Sequence, residues 1–312
     1  MRRILFTLLF LVSAVFAPHA VAASNWPAGP VKIIVTFAPG GTTDTITRAM
    51  VPKLAEVLGK PVVIANVAGA GGAVGWASGK DARPDGYTLI SGNAYALTLT
   101  PLVTETSFGI DDFDYLYSPG IQADTYFALP ERGWTTLKEM FTWAKKENKR
   151  LNFGSHNPLD RLLAESLAKK EGVVLNVVPL KGGADAITGV LGKHLDFSCA
   201  SGPQMPYIDA GRLVGLSNYG GRQFSDKVPT LQQQGYDATP FELLAIFATP
   251  KGVSPQILEK MTDALKIACE SKEFKDAAEK LALVLLPSEA EALFKVLKEQ
   301  QVTFRKLEES IR

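Results

Sequence analysis

The sequence predicts an α/β protein with two lobes, each built on a mostly parallel sheet flanked by helices. Short apolar runs alternate with helical patterns about 10–15 residues long, which is typical of βαβ units. These units fall into two series, at residues 31–100 and 135–217. The total length of 312 residues is sufficient for two lobes of ordinary size.

The first series begins with an apolar run and a long amphipathic pattern. Apolar runs predict strands over 31–37, 61–66 and 87–91, and helical patterns predict helices over 43–58 and 74–80. Ile46, Met50 and Leu54 recur at helical spacing in the first of these helices, as expected for a face that packs on a core. Pro52 lies in the same pattern and predicts either a kink or a later helix start.

The second series repeats this alternation. Helices are predicted over 135–147, 159–171, 184–191 and 203–210, with strands over 151–153, 173–178, 195–200 and 213–217. A further strand is predicted over 244–249, followed by amphipathic helices that start near Ser254 and Ser288. Strands that alternate with helices in this way predict a second mostly parallel sheet.

Two segments are expected to connect the lobes. Residues 107–130 are rich in Asp, aromatic residues, Gly and Pro, and a second loop runs from Gly220 to Pro229. A chain that leaves the first lobe, builds the second and returns would place 24–124 and 225–312 in lobe 1 and 125–224 in lobe 2. Two such connections permit hinge closure around a ligand.

The N-terminus has the pattern of a secretory signal peptide. Arg2 and Arg3 precede an apolar run over 4–17, and small residues at Ala20, Ala22 and Ala23 fit a cleavage site. This apolar run is short for a membrane span, which needs about 20 residues, although a membrane anchor or a core helix is the alternative. We therefore expect residues 1–23 to be removed, with cleavage near Ala22 or Ala23, and the protein to be exported to the periplasm.

The charge and the cysteines exclude several classes of protein. Lys and Arg number 33 and Asp and Glu 32, and this balance argues against nucleic-acid binding. Without residues 1–23 the chain has 31 basic and 32 acidic residues, so any affinity for anions must come from local backbone groups. Cys199 and Cys269 are too few for a disulfide framework or a structural zinc site. We expect two buried free thiols, with pairing as the alternative in an oxidising compartment.

The segment directly after the first strand has the composition of an anion-binding loop. Pro39, Gly40 and Gly41 let the backbone approach a ligand, and the helix that follows directs free N–H groups and its dipole at the same point. The hydroxyls of Thr42 and Thr43 add donors, and Asp44 is expected to cap the helix or to organise water. The alternative is an ordinary strand–helix turn.

A second glycine-rich loop follows the second strand. Residues 69–75 contain four glycines, more than a turn needs. The loop resembles a loose dinucleotide fingerprint, but no acidic residue ends the following strand, and export argues against a diffusible NAD cofactor. We interpret Ala70, Gly71 and Gly72 as a second backbone cradle for an anion.

Small polar or glycine-bearing loops end the other predicted strands as well. In an open α/β sheet, ligands bind beyond the carboxyl ends of the strands, so the recurrence of these loops in both series predicts a site between them. The residues concerned are Ser91, Asn93, Ser155, His156, Asn157, Lys181, Gly182, Gly183, Ala184, Ser201 and Gln204.

Catalysis finds little support in the sequence. There is no G-x-S-x-G elbow and no metal-ligand spacing such as H-E-x-x-H. A secreted hydrolase using Ser155 and His156 is the alternative from another class, but these are sequence neighbours, whose side chains usually diverge. We therefore expect neither a catalytic residue nor a metal.

The motifs, taken together and in order, resemble the Bug receptors. These are the TctC-type extracytoplasmic solute-binding proteins of tripartite tricarboxylate transporters. The resemblance starts in the runs at 35–44 (with Arg48), 58–63, 69–75 and 84–89, and it resumes at 178–183, 191–196, 210–213, 228–231 and 248–250. It therefore extends over nearly all of the chain after residue 23. The sequence departs from the family at Leu180 and at His156–Pro158, around the expected distal part of the pocket.

The resemblance implies the type II periplasmic-binding-protein fold, or Venus flytrap. It also implies a monomer without enzymatic activity or cofactor that captures a small carboxylate (a di- or tricarboxylate or an aromatic carboxylate). The expected partners are the large and small membrane subunits of a tripartite tricarboxylate-type transporter. A receptor that presents its ligand to a sensor without transport remains an alternative.

The resemblance also assigns the ligand contacts. The loops matching Pro39–Asp44 and Ala70–Gly72 would hold one carboxylate through backbone groups and water, and the loops of the second lobe would surround the remainder. The expected ligand-binding residues are Phe37, Pro39, Gly40, Gly41, Thr42, Thr43, Asp44, Ala70, Gly71, Gly72, Ser91, Asn93, Ser155, His156, Asn157, Lys181, Gly182, Gly183, Ala184, Ser201 and Gln204.

Overall fold

A computed structural model describes residues 25–220, 222–237 and 242–311. The predicted signal peptide at 1–23 and its cleavage site lie outside the described residues. Within the described part of the chain, no helix is both long and apolar enough to cross a membrane.

The strands and helices follow the predicted alternation. The strands are β1 Val31–Val35, β2 Val62–Asn66, β3 Thr88–Asn93, β4 Phe113–Ile121, β5 Asp124–Ala128, β6 Leu151–Ser155, β7 Leu175–Pro179, β8 Phe197–Ser201, β9 Val214–Asn218, β10 Leu244–Pro250 and β11 Val284–Glu289. The helices are α1 Thr42–Leu58, α2 Ala73–Lys80, α3 Ala94–Thr98, α4 Thr100–Val103, α5 Leu137–Lys146, α6 Pro158–Glu171, α7 Gly183–Leu191, α8 Met205–Asp209, α9 Pro255–Cys269, α10 Lys272–Lys280 and α11 Ala290–Ile311.

Two sheets divide the strands. The first sheet has the order β11-β4-β10-β3-β1-β2, with β10 and β11 antiparallel to their neighbours. The second has the order β7-β6-β8-β5-β9, with β5 antiparallel to its neighbours. In each sheet the remaining strands run in one direction, which confirms the predicted α/β class. The chain passes from the first sheet to the second between β4 and β5 and returns between β9 and β10.

Three strands were not predicted from the sequence. β4 and β5 lie inside the segment 107–130, which we expected to be a connection, and β11 precedes the last helix. Pro119 and Gly120 lie within β4, where the pairing with β11 shifts register. Gly120 is required there, because a Cβ would lie 2.1 Å from the carbonyl oxygen of Val284.

The first helix begins at Thr42 and continues through Pro52, so of the two alternatives, a kink or a later start, the later start is wrong. Its periodic residues Ile46, Met50 and Leu54 are all buried, as expected for a face that packs on the core. This packing fixes the N-terminus of α1 beyond the carboxyl end of β1.

The second lobe has an aromatic core that positions the ends of β6 and β8. Phe153 and Phe197 stack with ring centroids 4.6 Å apart, and Tyr126 contacts both rings. Cys199 on β8 and Cys269 on α9 are both buried and free, as expected from the sequence. The loops after β1, β6 and β7 and the end of β8 meet between the lobes, whereas the antiparallel strand β5 begins there.

Candidate ligand-binding cleft

A small cavity of ≈ 100 Å³ lies between the loops of the two lobes. Pockets for drug-sized ligands are about 300–1,000 Å³, so this cavity suits a compact molecule. It is lined by Phe37, Ala38, Pro39, Gly41, Thr42, Thr43, Asn93, Gln122, His156, Lys181, Gly182, Gly183, Ala184, Asp185, Ser201 and Pro203.

Two helices direct their N-termini into this cavity from opposite lobes. Helix α1 begins after Gly41 and helix α7 after Gly182, and no described side chain caps either N-terminus. The first N–H groups of a helix have no partner within it, and the dipole adds partial positive charge at the same end. Helix α6 differs, because the side chain of Asn157 accepts a hydrogen bond from the Asp160 N–H at 2.9 Å. The cavity therefore offers two positions with free N–H donors that favour anionic groups, one at the N-terminus of α1 and one at the N-terminus of α7.

Asp44 organises the first of these loops from behind. Its carboxylate accepts hydrogen bonds from the Gly40 N–H at 2.9 Å, from Arg48 Nε at 2.9 Å and from Asn66 Nδ2 at 2.8 Å. Burial raises the pKa of this carboxyl, but the hydrogen bonds from these three residues outweigh burial and lower it. Asp44 is thus an ionised residue whose described partners belong to its own lobe, and it does not line the cavity.

The same carboxylate-to-loop bond recurs in the second lobe. The Asp160 carboxylate accepts the His156 N–H at 3.1 Å, and the Asp185 carboxylate accepts the Lys181 N–H at 3.2 Å. In each case the acid lies four residues after the donor, in the first turn of the helix that follows. A carboxylate there stabilises the helix dipole and fixes the loop that faces the cleft.

Amide side chains form part of the cavity wall between the lobes. Gln122, between β4 and β5, donates from Nε2 to Asn93 Oδ1 at 2.9 Å, and Thr43 Oγ1 donates to the same oxygen at 3.2 Å. Gln122 was not predicted from the sequence, since no motif marks it and the strands on either side of it, β4 and β5, were not predicted either. It also left out Ala38, Asp185 and Pro203, although the Asp44 pattern could have identified Asp185.

His156 contacts the cavity from a buried polar cluster. Its Nδ1 lies 3.2 Å from Asp160 Oδ2, and Asn157 Nδ2 lies 3.3 Å from Nε2. An amide donor facing Nε2 assigns the proton to Nδ1, which then donates to Asp160. Cys199 Sγ donates to the same Asp160 oxygen at 3.0 Å, so the buried carboxylate is satisfied by protein donors.

The geometry of Ser155 does not support a hydrolase. Its hydroxyl donates to the Asp160 carboxylate and lies 3.2 Å from the carbonyl oxygen of Asn157. Serine and imidazole thus bind the same carboxylate, whereas an activated nucleophile needs its base to accept the hydroxyl proton.

Several contacts join the two lobes across the cleft. Thr42 Oγ1 donates to the carbonyl of Ser201. A Cβ at Gly71 would lie 2.6 Å from Pro158 Cδ, and one at Gly202 would lie 2.7 Å from the carbonyl oxygen of Leu281. The two lobes are therefore in contact on this side of the cleft.

Nine of the predicted ligand residues lie outside the cavity wall. Ala70, Gly71, Ser155 and Asn157 line a neighbouring cavity, and Gly40 lines a groove on the other side. Gly72 packs behind the Phe37 ring. Gln204 donates from Nε2 to the Ala123 carbonyl at 2.9 Å. The hydroxyls of Ser91 and Thr47 form a hydrogen bond of 2.8 Å. Together with Asp44, these residues support the wall from behind or flank it.

We expect Asp44→Asn to lower the free energy of unfolding by about 1–2 kcal/mol at pH 7, because the amide cannot accept both Arg48 and Asn66. The pKa of Asp44 is lowered by folding, so its stabilisation is present above its ordinary value of 3.8 and is lost as pH falls through the folded value. Urea denaturation at pH 7 measures the first effect, and a series of pH values from 4 down to 2 measures the second. Glu165→Gln is the control, since its exposed pair with Arg161 contributes little. Equal losses in the two variants would contradict the prediction.

Asp124 is buried at the start of β5, beside the cavity. Its Oδ1 accepts hydrogen bonds from the Ser201 hydroxyl and, at 3.1 Å, from the Tyr219 hydroxyl. Its Oδ2 has no hydrogen-bond partner among the described residues. Burial raises the pKa of this carboxyl from 3.8 to about 8, because an ionised group loses its hydration and the described partners include no cation.

We expect Asp124→Asn to flatten the pH dependence of stability between about pH 5.5 and 8. The folded pKa of Asp124 lies above the unfolded value, so between them the folded state holds one more proton, and stability falls by up to about 1.4 kcal/mol per pH unit as pH rises. Below pH 3.8 and above about 8 this group contributes no slope. Urea denaturation at intervals across this range measures the slope. Asp209→Asn, at an exposed ion pair with Lys227, should keep the wild-type slope. Parallel profiles for all three proteins would show that Asp124 ionises normally.

Known proteins with similar sequences and a family of transporter receptors match most of this chain. The model of the family "Tripartite tricarboxylate transporter family receptor" (TctC) matches residues 46–311. A protein encoded in the gbd 5′ region of Cupriavidus necator is 29% identical over 272 residues, which cover 84% of this chain and 81% of that protein. BugT of Bordetella pertussis is 27% identical over 288 residues, with 89% and 87% covered.

Solved structures share the fold. The periplasmic binding protein BugD superposes with a TM-score of 0.84 at 24% identity, covering 92% of this chain and 98% of BugD. MatC of Rhodopseudomonas palustris, with bound malate, gives 0.81 at 20% identity over 90% and 99% of the two chains. An R. palustris protein with adipate gives 0.82 at 19% identity over 92% and 98%.

Proposed function

The chain belongs to the family of tripartite tricarboxylate transporter receptors, and from that premise we propose that it captures a small dicarboxylate between its two lobes. Members of this family are periplasmic solute-binding receptors, not enzymes. This places the chain in a class whose task is binding.

The observation that carries the proposal is the pair of uncapped helix N-termini. Those of α1 and α7 reach one cavity from opposite lobes, at Gly41–Thr43 and at Gly182–Ala184. A helix N-terminus binds a carboxylate through its N–H groups and its dipole. Two such ends suit a ligand with two carboxylates, one for each lobe, and the ≈ 100 Å³ cavity suits a short chain between them.

The neighbours solved with ligands support the same class. MatC holds malate and the other R. palustris protein holds adipate, and both ligands are dicarboxylates. We propose that closure of the lobes on such an acid creates the form that the membrane subunits of a transporter recognise.

Calorimetric titration tests the proposed function. The panel contains malate, succinate, adipate, citrate, glutamate and terephthalate, with butyrate as a monocarboxylate and glucose as a neutral solute. We expect at least one dicarboxylate to bind, and to bind at least 10-fold more tightly than butyrate. Binding of glucose with no response to any acid would overturn the proposal. Equal affinity for butyrate and succinate would mean that α7 holds no second carboxylate.

A further inference from the structure

Asp124 is placed to influence the cleft although it does not line it. It lies opposite Ser201 in the register of β5 and β8, and Ser201 is part of the cavity wall. The Ser201 hydroxyl donates to Asp124 Oδ1, so this buried carboxyl is hydrogen-bonded directly to a residue of the cavity wall. The Thr42 hydroxyl from the opposite lobe donates to the Ser201 carbonyl, so the same residue also joins the lobes.

Asp124 also connects both crossovers between the lobes. It follows Gln122 and Ala123 of the first crossover, and its Oδ1 accepts the Tyr219 hydroxyl, directly after β9, where the second crossover begins. A charge on this carboxyl would therefore lie next to the cavity wall and next to both connections between the lobes.

The groups that face Asp124 are acidic or neutral. The carboxylate of Asp160 on α6 adds negative charge, and the thiol of Cys199 and the phenols of Tyr95, Tyr126 and Tyr219 complete the surroundings. Burial raises the pKa of this thiol and of these phenols well above the ordinary values. Among these groups, Asp124 is therefore the one that changes charge near pH 8.

We propose that Asp124 determines the charge specificity of the cleft: as a neutral acid it permits an anion beside Ser201, and as a carboxylate it repels one. This inference rests on the proposed function, because it requires an anionic ligand. Asp124 acts through Ser201 and is therefore a positioning residue. Two negative charges separated by one hydroxyl in a poorly hydrated site repel each other strongly.

The test is a pH profile of affinity for the tightest dicarboxylate of the panel, which is fully ionised throughout. We expect the wild-type Kd to be constant from pH 7 to about 7.5 and to rise towards 10-fold per pH unit above pH 8. Asp124→Asn, which is neutral at every pH, should bind at pH 7 within about 5-fold of wild type and show no rise. A purely structural role would change the affinity of this variant equally at all pH values.

Controls separate the possible failures. Asp209→Asn, at an exposed site, should reproduce the wild-type profile. Infrared difference spectra of Asp-labelled protein, wild type minus Asp124→Asn, should show a protonated carboxyl at pH 6.5 that is lost by pH 9.5. A wild-type Kd that is constant up to pH 9.5 overturns the inference, whether or not the variant folds, while the proposed function stands. Failure of every dicarboxylate at every pH overturns both.

Discussion

Replacing Gly41 by aspartate is expected to weaken dicarboxylate binding by at least about 100-fold, without unfolding the protein. Gly41 occupies the N-cap of α1 with φ −78° and ψ 173°, a conformation open to any residue. An N-cap aspartate hydrogen-bonds the N–H groups of the first turn, which are the groups proposed to hold the ligand. The introduced carboxylate would also repel the ligand from the same position.

The size of this effect follows from the chemistry of the site. Hydrogen bonds to charged groups contribute about 1.5–3 kcal/mol each, and a loss of 2.7 kcal/mol corresponds to about 100-fold in affinity. Because the new cap satisfies helix donors, the free energy of unfolding should stay within about 1 kcal/mol of wild type. Calorimetry and urea denaturation measure the two quantities.

Gly41→Ala is the matched control. It adds the same Cβ, which would lie 3.7 Å from the Ala38 carbonyl oxygen in ordinary contact, but adds no carboxylate. We expect its affinity to remain within about 5-fold of wild type. If Gly41→Asp bound succinate or malate as tightly as Gly41→Ala, the N-terminus of α1 would not be the carboxylate site.

Local sequence patterns predicted the cleft better than its supporting residues. Glycine loops after apolar runs identified the two helix N-termini at Gly41 and Gly182, because strand, loop and helix follow one another along the chain. The wall residue Gln122 depends on pairing between distant strands, and its neighbour β4 contains Pro119 and Gly120, which locally indicate a turn. The segment is a strand because it pairs with β10 and β11, and register shifts in both pairings fall near Pro119 and Gly120.

Among the acidic residues near the cleft, Asp44 was assigned too close a role at the ligand. From its position after a glycine loop, Asp44 was expected to cap the helix or to organise water, and the resemblance added it to the ligand contacts. The structure instead pairs it with Arg48, Asn66 and its own loop, in the arrangement that Asp160 and Asp185 repeat. An acid four residues after a loop N–H, in the first turn of a helix, is a local signal that indicates loop support. Asp124 carries no such signal, since its burial arises from packing between β8 and β9.

Replacing Gly71 by alanine is expected to weaken ligand binding by about 100-fold by preventing the lobes from meeting. Gly71 has φ +63°, and its Cβ would lie 2.6 Å from Pro158 Cδ and 3.5 Å from Asn157 Cα. Asn157 and Pro158 lie at the N-terminus of α6 in the other lobe, and a proline ring cannot rotate away as a flexible side chain would. The clash exists only when the lobes touch, so it should penalise the closed form and leave each lobe folded.

Gly59→Ala separates this clash from backbone strain. Gly59 has φ +65°, but nothing lies within 4 Å of its Cβ position. Alanine there is therefore destabilised only by the left-handed backbone conformation, which costs about 1 kcal/mol. Both variants should lose similar stability by urea denaturation, while only Gly71→Ala should lose affinity. Small-angle scattering with saturating ligand should show compaction for Gly59→Ala and a reduced change for Gly71→Ala. Equal affinities would mean that ligand capture does not require the contact between Gly71 and Pro158. The ligand-bound form would then be more open than the present structure.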